Sequence, residues 1–395
     1  MKHLVFVVFI IIYAGCNIVD NFKIAGGNYT TINARDIVPD DNSTIPLSEF
    51  VESIDIIPLE FNDSCILGEI RKIVIHNDHI FLIESRRPKT VYRFDMQGNF
   101  LNSIGVYGQG PMEILELQDF SINEEENRIY LLDNAKHAVF CYAFDGEFIE
   151  KININQGGTR FEYFDSHFYI YVDHPEKLRL YSLTVLNEKG HLENSYFPSR
   201  LYPINIGCNS FTKTKDSLFL YKPMNDTIYT LQETELKYAY FFDFGKYRFR
   251  PEEIENIYTE KVKTLDVLLD KERFSGADNL HKVGKWLYFN KIYKLLQYSF
   301  LYHTETGELK VASHLWDDIE YMFYGKAFYG QTENALIGLY NIDYIKENIE
   351  RYERYEREGY ISKTVKETQM QKMKQLMRGD IPEDMNPWVL IYHLK

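Results

Sequence analysis

The chain has 395 residues and a formal net charge of -14, from 44 basic and 58 acidic side chains. This acidic surplus argues against a general nucleic-acid or anionic-membrane surface, because such surfaces need an excess of Lys and Arg. Aromatic residues make up 15% of the chain, which is typical of packed sheets, where aromatic side chains fit a pleated, half-buried surface. Two domains of average size would fit this length, but closed all-β folds often run longer than average as one unit.

The first sixteen residues have the pattern of an export signal. An apolar run from Leu4 to Tyr13 is too short to span a bilayer as a mature helix and has the right size for a secretory signal core. It ends in a small-small-Cys box at Cys16, which resembles a bacterial lipoprotein signal. That resemblance implies cleavage before Cys16 and lipidation of its thiol. The alternative is an ordinary cleaved signal peptide, and in either case the chain is expected to leave the cytoplasm.

Residues 17–44 are polar and show no sustained hydrophobic period, so they are predicted to form a tether. Beyond Cys16, the remaining cysteines are Cys65, Cys141 and Cys208. They have no metal-ligand spacing, so no structural zinc site is predicted, and no pairing among them can be chosen from the sequence. Cys141 lies in an apolar run and is expected to be a buried free thiol.

A three-strand β-meander recurs along the chain, with an apolar second strand after a polar turn. The starts of these second strands are about 40 to 50 residues apart, apart from one longer gap, and this period is in the range of propeller blades. Six copies are present: Ile80–Ile83, Ile129–Leu132, Phe168–Tyr171, Leu218–Tyr221, Leu287–Phe289 and Leu336–Leu339.

This count predicts an all-β fold, a six-bladed β-propeller of four-stranded antiparallel blades over residues 45–395. One apolar strand, Ile54–Leu59, has no hairpin partner nearby in the sequence. We expect it to be the fourth strand of the last blade and Trp388–Tyr392 to be the third, so that the N- and C-terminal strands close the ring.

Two segments have helical spacing and are predicted to be insertions, at residues 251–273 and 343–378. The first lies between blades four and five, and the second lies between the second and third strands of blade six. In a propeller those two kinds of connection open on the same face. We therefore expect both insertions to lie over one mouth of the ring as a partial lid.

Three motifs carry a resemblance to a known family: Ile45-Pro-Leu-Ser-Glu49 at the start, Gly108-Gln-Gly110-Pro111 after the first blade, and Asn386-Pro387 before the last strand. The chain resembles the six-bladed β-propeller lipoproteins of gut Bacteroidetes, with NHL and TolB-like propellers as structural relatives. The resemblance implies a ligand-binding protein that is lipid-anchored to the outer membrane, on its periplasmic or its outer surface. Fold similarity alone does not assign chemistry.

The sequence contains no GxSxG elbow, no P-loop and no GxGxxG opening a helix. We therefore predict a non-enzymatic binding protein without catalytic residues, metal or cofactor. A metal-dependent, lactonase-like hydrolase or lyase is the alternative. Such an enzyme needs several metal ligands on the inner strands, and the first strands predicted for blades one to three offer only Asp119 and Glu162 as acidic residues. A scaffold subunit of an outer-membrane complex is a third possibility.

Basic and aromatic residues are predicted to gather in the loops at the lid-side mouth. On an acidic protein such a cluster could attract an anionic glycan, while a peptide or an envelope protein is the other kind of partner considered. Nucleic acid is not expected, and contact with the membrane is expected only through the lipid anchor. The alternative is that these are ordinary solvated loop residues. The candidates are Arg86, Arg87, Lys89, Tyr107, Gln109, Lys136, His137, Arg160, His174 and Lys177. The sequence from His76 to His79, on the opposite face, is predicted to be a polar turn.

Overall fold

The computed structural model describes residues 29–85, 89–172, 181–198, 211–222, 225–232, 234–258, 272–321, 328–377 and 385–395. The predicted signal peptide with Cys16 and the first part of the predicted tether lie outside these residues. So do Cys208 and four of the ligand-binding candidates, Arg86, Arg87, His174 and Lys177.

Six blades follow three N-terminal strands, β1 Thr30–Asn33, β2 Thr44–Pro46 and β3 Val51–Pro58. Blade one contains β4 Ile70–His76, β5 His79–Glu84, β6 Val91–Asp95 and β7 Phe100–Ile104. Blade two contains β8 Leu117–Asn123, β9 Arg128–Asp133, β10 Ala138–Ala143 and β11 Phe148–Asn153. Blade three contains β12 Arg160–Phe164, β13 His167–Tyr171, β14 Tyr181–Asn187 and β15 Leu192–Pro198.

The second half of the ring repeats this order. Blade four contains β16 Phe211–Lys213, β17 Leu218–Tyr221, β18 Thr227–Gln232 and β19 Glu235–Asp243. Blade five contains β20 Ser275–Val283, β21 Trp286–Tyr293, β22 Leu296–His303 and β23 Leu309–Ala312, and β24 His314–Trp316 follows it. Blade six contains β25 Gly330–Gln331, β26 Ala335–Tyr340, β27 Trp388–Leu394 and the N-terminal strand β3. The predicted six-bladed propeller is confirmed.

The second strand of every blade is the apolar run that the sequence pattern predicts. All residues of β17 and β26 are buried, because the faces of a blade pack against the blades on either side. Tight turns separate the third and fourth strands. At one of them Gly98 has φ +82°, and a Cβ atom there would lie 2.0 Å from the carbonyl oxygen of Pro58. Only glycine fits this close approach of blade one to the closing strand.

The predicted ring closure is also confirmed. Strand β3 pairs antiparallel with β27, in a register that places Pro58 opposite Trp388 and Ile54 opposite Tyr392. Trp388 and Tyr392 are completely or almost completely buried in the core between blades five and six. The first and last strands of the propeller therefore belong to one sheet.

The segment predicted as a tether is folded where the structure describes it, from residue 29 onward. Strand β1 pairs in parallel with β19 and gives blade four a fifth strand. Strand β2 pairs in parallel with β24, beside blade five. We call residues 29–50 the N-terminal strap, because they run along the outer edges of blades four and five before β3 enters blade six. The predicted boundary at residue 45 is wrong for this reason.

Both helical insertions begin where the sequence predicts, and α1 spans Pro251–Tyr258. The second insertion is a pair of helices, α2 Ile342–Glu358 and α3 Lys363–Met377, separated where Gly359 adopts φ +81°. Residues 259–271 and 378 of the predicted insertions lie outside the described residues. No helix in the described part of the chain is both long and apolar enough to cross a bilayer.

The helix pair packs on the connection between blades five and six. Tyr352 and Met373 are buried in the same core as Trp388, and Lys372 forms an ion pair of 2.6 Å with Glu320. Both insertions occupy connections that open on one face of the ring, which we call the lid-side face. The opposite face, which carries the turns between first and second strands, is the turn-side face. Coverage of the lid-side mouth by the helices stays a prediction.

Candidate functional site

The first strands of the six blades surround the central channel. They are held together partly by the backbone: the Ile73 amide in β4 donates to the Tyr329 carbonyl beside β25 at 2.9 Å. A Cβ atom at Gly330 would lie 2.0 Å from the carbonyl oxygen of Ile73. This spacing requires glycine at position 330, and it brings blade six directly against blade one.

A cavity of about 540 Å³ opens from this channel on the turn-side face. Its volume is within the range of small-molecule sites. Residues from the first strands form its walls, among them Lys72, Glu162, Thr212, His281 and Gln331. Turns between first and second strands form its rim, and they contribute His76, Asn77, Asp78, Thr214, Thr332, Glu333 and Asn334. We call this feature the turn-side cavity.

A charged network crosses the cavity wall between blades one, two and three. The Lys72 ammonium pairs with the Glu162 carboxylate, and it also donates to the Phe120 carbonyl at 2.8 Å. The other Glu162 oxygen accepts from the Ser121 hydroxyl at 2.7 Å. Asp119 accepts from the Phe161 amide at 2.9 Å. These bonds hold both inner-strand carboxylates in fixed positions.

Asp119 and Glu162 are the residues on which a catalytic metal would depend, and the structure places both beside cations. Arg71 lies 3.6 Å from Asp119, and Lys72 lies 3.8 Å from it. Within the described residues, no group of three or more His, Cys, Asp and Glu is arranged to hold a metal ion. The two carboxylates therefore form ion pairs in this structure.

Gln331 joins blades four, five and six across the other half of the channel. Its amide nitrogen donates to the carbonyls of Lys213 and Lys282, both at 3.0 Å, and its oxygen accepts from the Lys282 amide at 2.9 Å. The Thr212 hydroxyl bonds to the Leu280 carbonyl at 2.5 Å. These bonds make this side of the cavity a rigid wall.

His281 lines the cavity and is only 1% exposed. Phe328 and Gln331 lie beside its ring, but neither ring nitrogen makes a hydrogen bond of normal geometry within the described residues. Burial lowers the pKa of His281 to about 4, and the neighbouring polar groups of Phe328 and Gln331 oppose that shift. The imidazole is therefore neutral at pH 7.

Protonation of His281 should make the fold sensitive to acid. Unfolded chains take up this proton near pH 6.5, whereas the native state takes it up only near pH 4. Because the unfolded state binds the extra proton between those values, the stability present above pH 6.5 is lost as the pH falls toward 4. We expect a contribution on the order of 3 kcal/mol from this residue, measured by urea unfolding at pH 7.5 and at pH 4.5.

His281→Phe should flatten this pH dependence, and His191→Phe, at an exposed turn position, should leave it as in the wild type. Equal loss of stability on acidification in the wild type and in His281→Phe would contradict the prediction.

The rim of the turn-side cavity carries both signs of charge. Lys213 reaches across the channel from blade four to donate to the Ile122 carbonyl at 2.8 Å, and it pairs with Glu124 at 3.1 Å. Glu333 accepts from the Lys215 amide at 2.9 Å. Among the described residues, two lysines and four carboxylates line the cavity, so this part of its lining is acidic on balance.

The structure describes six of the ten predicted ligand-binding residues. The charged group of one of them, Lys136, is bonded to backbone carbonyls of the protein. The Lys136 ammonium donates to the carbonyls of Gly110 and Glu113, at 2.6 and 2.5 Å, and so fixes the loop after blade one. Lys89 lies 5.4 Å from the ring centre of Tyr107, which is 56% exposed. Gln109 and His137 are exposed, and Arg160 is half-buried, with a bond to the Thr159 carbonyl.

Lys89 and Tyr107 thus form a cation–π pair. The Lys136 ammonium is bonded to the loop after blade one. Because four members of the predicted cluster lie outside the described residues, an anionic ligand at the lid-side mouth stays a prediction.

Sequence reasoning missed the residues that form the turn-side cavity. The turn from His76 to Asp78 was expected to be an ordinary polar turn, and the structure makes it part of the rim. His281 was not singled out, because β20 pairs irregularly with β21 and shifts register between Ser275 and His281. Lys72 and Lys213 could have been recognised from the sequence, since a lysine on an inner strand needs a partner across the channel.

Two cysteines lie within the described residues, and the state of Cys141 matches its prediction. Cys65 and Cys141 are free and buried, as expected for Cys141. Burial raises the pKa of each thiol to about 12, so neither is a nucleophile at neutral pH.

Comparison with known proteins places the chain in a family. A model described as a domain of unknown function (DUF4934) matches residues 29–393. A Bacteroides fragilis protein named only as exported has a TM-score of 0.71 at 17% identity, over 93% of this chain and 100% of that one. A member of the DUF4221 family from Bacteroides vulgatus has a TM-score of 0.49 at 11% identity, over 87% and 97%. No curated protein matches the chain.

The likeness to the Bacteroides fragilis protein shows the shared fold. The propeller part of the resemblance stated from the sequence is therefore confirmed, and membership of a lipoprotein family stays a prediction. Since the family model covers almost all of the described residues and begins at the first of them, the protein belongs to the family described as domain of unknown function DUF4934.

Proposed function

We propose that this protein is a non-enzymatic binding protein of the cell envelope that takes a small polar molecule, or the end of a glycan or peptide, into the turn-side cavity. The observation that carries the proposal is the cavity itself, whose walls combine polar side chains of the first strands, Lys72, Thr212 and Gln331 among them, with the apolar surfaces of Ile73 and Phe211. Ligand sites commonly combine apolar walls with a few placed polar groups in this way.

The rigidity of the wall supports a binding role. Gln331 and Lys72 are each fixed by several hydrogen bonds to neighbouring blades. A site whose groups are held in place before the ligand arrives loses little side-chain entropy on binding.

A bulky residue at the cavity rim should abolish binding. Thr214→Trp places an indole at the turn between β16 and β17, where Thr214 lines the cavity. Thr306→Trp, at an exposed turn of blade five away from the cavity, is the matched control. Screening with a glycan array and a library of amino acids and short peptides should yield compounds that raise the Tm of the wild type and of Thr306→Trp. Those compounds should leave the Tm of Thr214→Trp unchanged, and an equal rise in all three proteins would refute the proposal.

We also propose that the protein is exported and anchored to the outer membrane through lipid on Cys16. The apolar run ending at the small-small-Cys box supports this, as does the exported name of a protein with the same fold. Cys16→Ser should shift the protein from the membrane fraction to the soluble fraction, because the lipid supplies the membrane affinity. Cys208→Ser, which keeps Cys16, should remain with the membrane. Recovery of Cys16→Ser in the membrane fraction at the wild-type level would count against the anchor.

A further inference from the structure

We propose that the turn-side cavity takes a zwitterionic ligand, an amino acid or a short peptide with free ends, and that Lys213 is the residue that binds its carboxylate. This inference rests on the proposed binding function and names its ligand class. Four observations support it: the use of donors by the two wall lysines, the exposure of the Lys213 pair, the carboxylates beside that pair and the apolar surface of the cavity.

The two lysines of the wall differ in how many of their donors are used. An ammonium group has three N–H donors. Lys72 uses them on the Glu162 carboxylate and on two backbone carbonyls, one in blade two and one in blade three. Within the described residues, Lys213 uses two, on the Ile122 carbonyl at 2.8 Å and on Glu124 at 3.1 Å. One donor of Lys213 is therefore left for a ligand.

The pair formed by Lys213 is also the more open of the two. The side chains of Lys213 and Glu124 are 17% and 49% exposed, whereas those of Lys72 and Glu162 are 12% and 11% exposed. Glu162 is held further by the Ser121 hydroxyl at 2.7 Å. Because Lys213 and Glu124 both line the cavity, a ligand carboxylate can bond to the remaining donor of Lys213 without separating either pair.

Carboxylates stand beside the Lys213 ammonium at the rim. Its partner Glu124 lies in the turn between the first two strands of blade two, and Asp78 lies in the corresponding turn of blade one. The side-chain amide of Asn77 donates to Asn127 at 2.8 Å and joins these two turns. A carboxylate has about four lone-pair sites, so Glu124 and Asp78 offer acceptors to an amino group close to the donor that a ligand carboxylate would use.

The charge of the lining favours a ligand that carries both signs. Among the described residues it has four carboxylates and two lysines, which repel a ligand with a carboxylate alone. A ligand with an amino group alone would leave the remaining donor of Lys213 unused. An amino acid is neutral overall, so it meets no net repulsion, and it forms charge-assisted hydrogen bonds with both kinds of group.

Apolar surface in the cavity can receive the side chain of such a ligand. Ile73, Phe211 and Tyr329 contribute to the lining. Phe211 lies two residues before Lys213 on β16, and residues two apart on a strand point to the same side. The cavity of about 540 Å³ is large enough for a small molecule. We therefore expect apolar amino acids to bind more tightly than polar ones.

The test is a calorimetric titration of the full mature protein. The probes are the common amino acids, the dipeptides of alanine and leucine, and the N-acetyl and amide forms of each compound that binds. We expect at least one free amino acid or dipeptide to bind. Its N-acetyl and amide forms should bind at least about tenfold more weakly, because each lacks one of the two charge-assisted contacts.

Substitution of Lys213 tests its role directly. Lys213→Met keeps the length of the side chain without its charge, and it should weaken binding of the free amino acid by about tenfold or more. The amide form, which has no carboxylate, should lose much less affinity. Lys213→Arg keeps a charged donor and should retain affinity within about threefold. Lys215→Met is the matched control, because Lys215 is exposed on the adjoining turn and is not among the described lining residues.

Glu124→Gln gives a second readout at the other end of the ligand. It should weaken binding of the free amino acid, because it removes a charged acceptor for the amino group. It should not weaken binding of the N-acetyl form, which has no charged amino group. Thermal unfolding shows which variants fold, and Glu124→Gln and Lys213→Arg keep the test decisive if Lys213→Met does not.

The outcomes separate this inference from the proposed function. Failure of every free amino acid and dipeptide to bind, or equal binding of the blocked forms, overturns the zwitterion assignment. Equal effects of Lys213→Met and Lys215→Met overturn the role of Lys213. If Thr214→Trp still abolishes binding of another ligand from the wider screen, the proposed function stands without this inference. Binding of amino acids that is unaffected by Thr214→Trp overturns both.

Discussion

Replacing Trp388 with alanine is expected to lower the free energy of unfolding by about 3 to 5 kcal/mol. Trp388 begins β27 and is fully buried, with its ring centre 5.9 Å from that of Tyr340. It stands opposite Pro58 of the closing strand. Truncation removes apolar contacts and leaves a cavity at the place where the first and last strands of the ring meet, and a rigid core fills such a cavity only in part.

Urea unfolding followed by tryptophan and far-UV signals measures this loss. Trp316→Ala is the matched control: Trp316 lies on β24, is half-buried, and contacts Tyr355 of α2 at 5.3 Å between ring centres. Its loss should be well below that of Trp388→Ala, because less apolar surface leaves the core. A ranking in which Trp316→Ala is the more damaging change would show that the closing sheet does not limit the stability of the ring.

Gly330→Ala is expected to destabilise the protein by about 3 kcal/mol, the upper part of the range for overpacked sites. The added methyl group would lie 2.0 Å from the Ile73 carbonyl oxygen. A backbone atom cannot move aside as the end of a side chain can. The inner strands of blades six and one would have to separate, which would break the 2.9 Å bond between the Ile73 amide and the Tyr329 carbonyl.

Gly68→Ala provides the comparison for this change. Its Cβ would meet the Glu84 carboxylate at 2.9 Å, a flexible group that can turn away, so the expected change is within about 1 kcal/mol of zero. Chemical denaturation of both variants measures the difference. Because Gly330 and Ile73 also line the turn-side cavity, Gly330→Ala should weaken ligand binding at temperatures where it remains folded. Equal stability of the two variants would contradict the proposed closeness of blades six and one.

The six-bladed ring could be predicted from the sequence because the segments that repeat are apolar strands with buried side chains. The apolar runs at Ile80 and Leu336 are second strands whose faces must be covered, and only a radial array of such sheets covers all of them. The closing strand could be predicted for a related reason. Ile54–Leu59 is apolar and has no neighbour along the chain, so its partner had to be distant.

The N-terminal strap could not be predicted in this way. Strand β1, from Thr30 to Asn33, has only Ile32 buried. An edge strand of four residues with one buried side chain has no detectable period, and its polar composition is that of a linker. Its structure depends on the exposed edge of β19, which no local pattern reveals.

The site was less predictable than the fold. The basic loop residues were candidates because the sequence is acidic, yet in the structure the Lys136 ammonium bonds to the carbonyls of Gly110 and Glu113 and holds the loop after blade one. The turn-side cavity instead depends on side-chain direction within the first strands. His281 joins the cavity lining after two shifts of register in β20, and simple alternation of side chains between the two faces of a strand does not survive such shifts.

The closing strand also determines when the protein can finish folding. Strand β3 is synthesised more than 300 residues before its partner β27, because Pro58 pairs with Trp388. The chain between these two strands must lose conformational entropy before their pairing can offset that loss. A nascent chain therefore holds an incomplete sheet with an open edge until β27 is available. For a protein exported as we propose, completion of the ring would follow translocation, which keeps the chain unfolded while it crosses the membrane.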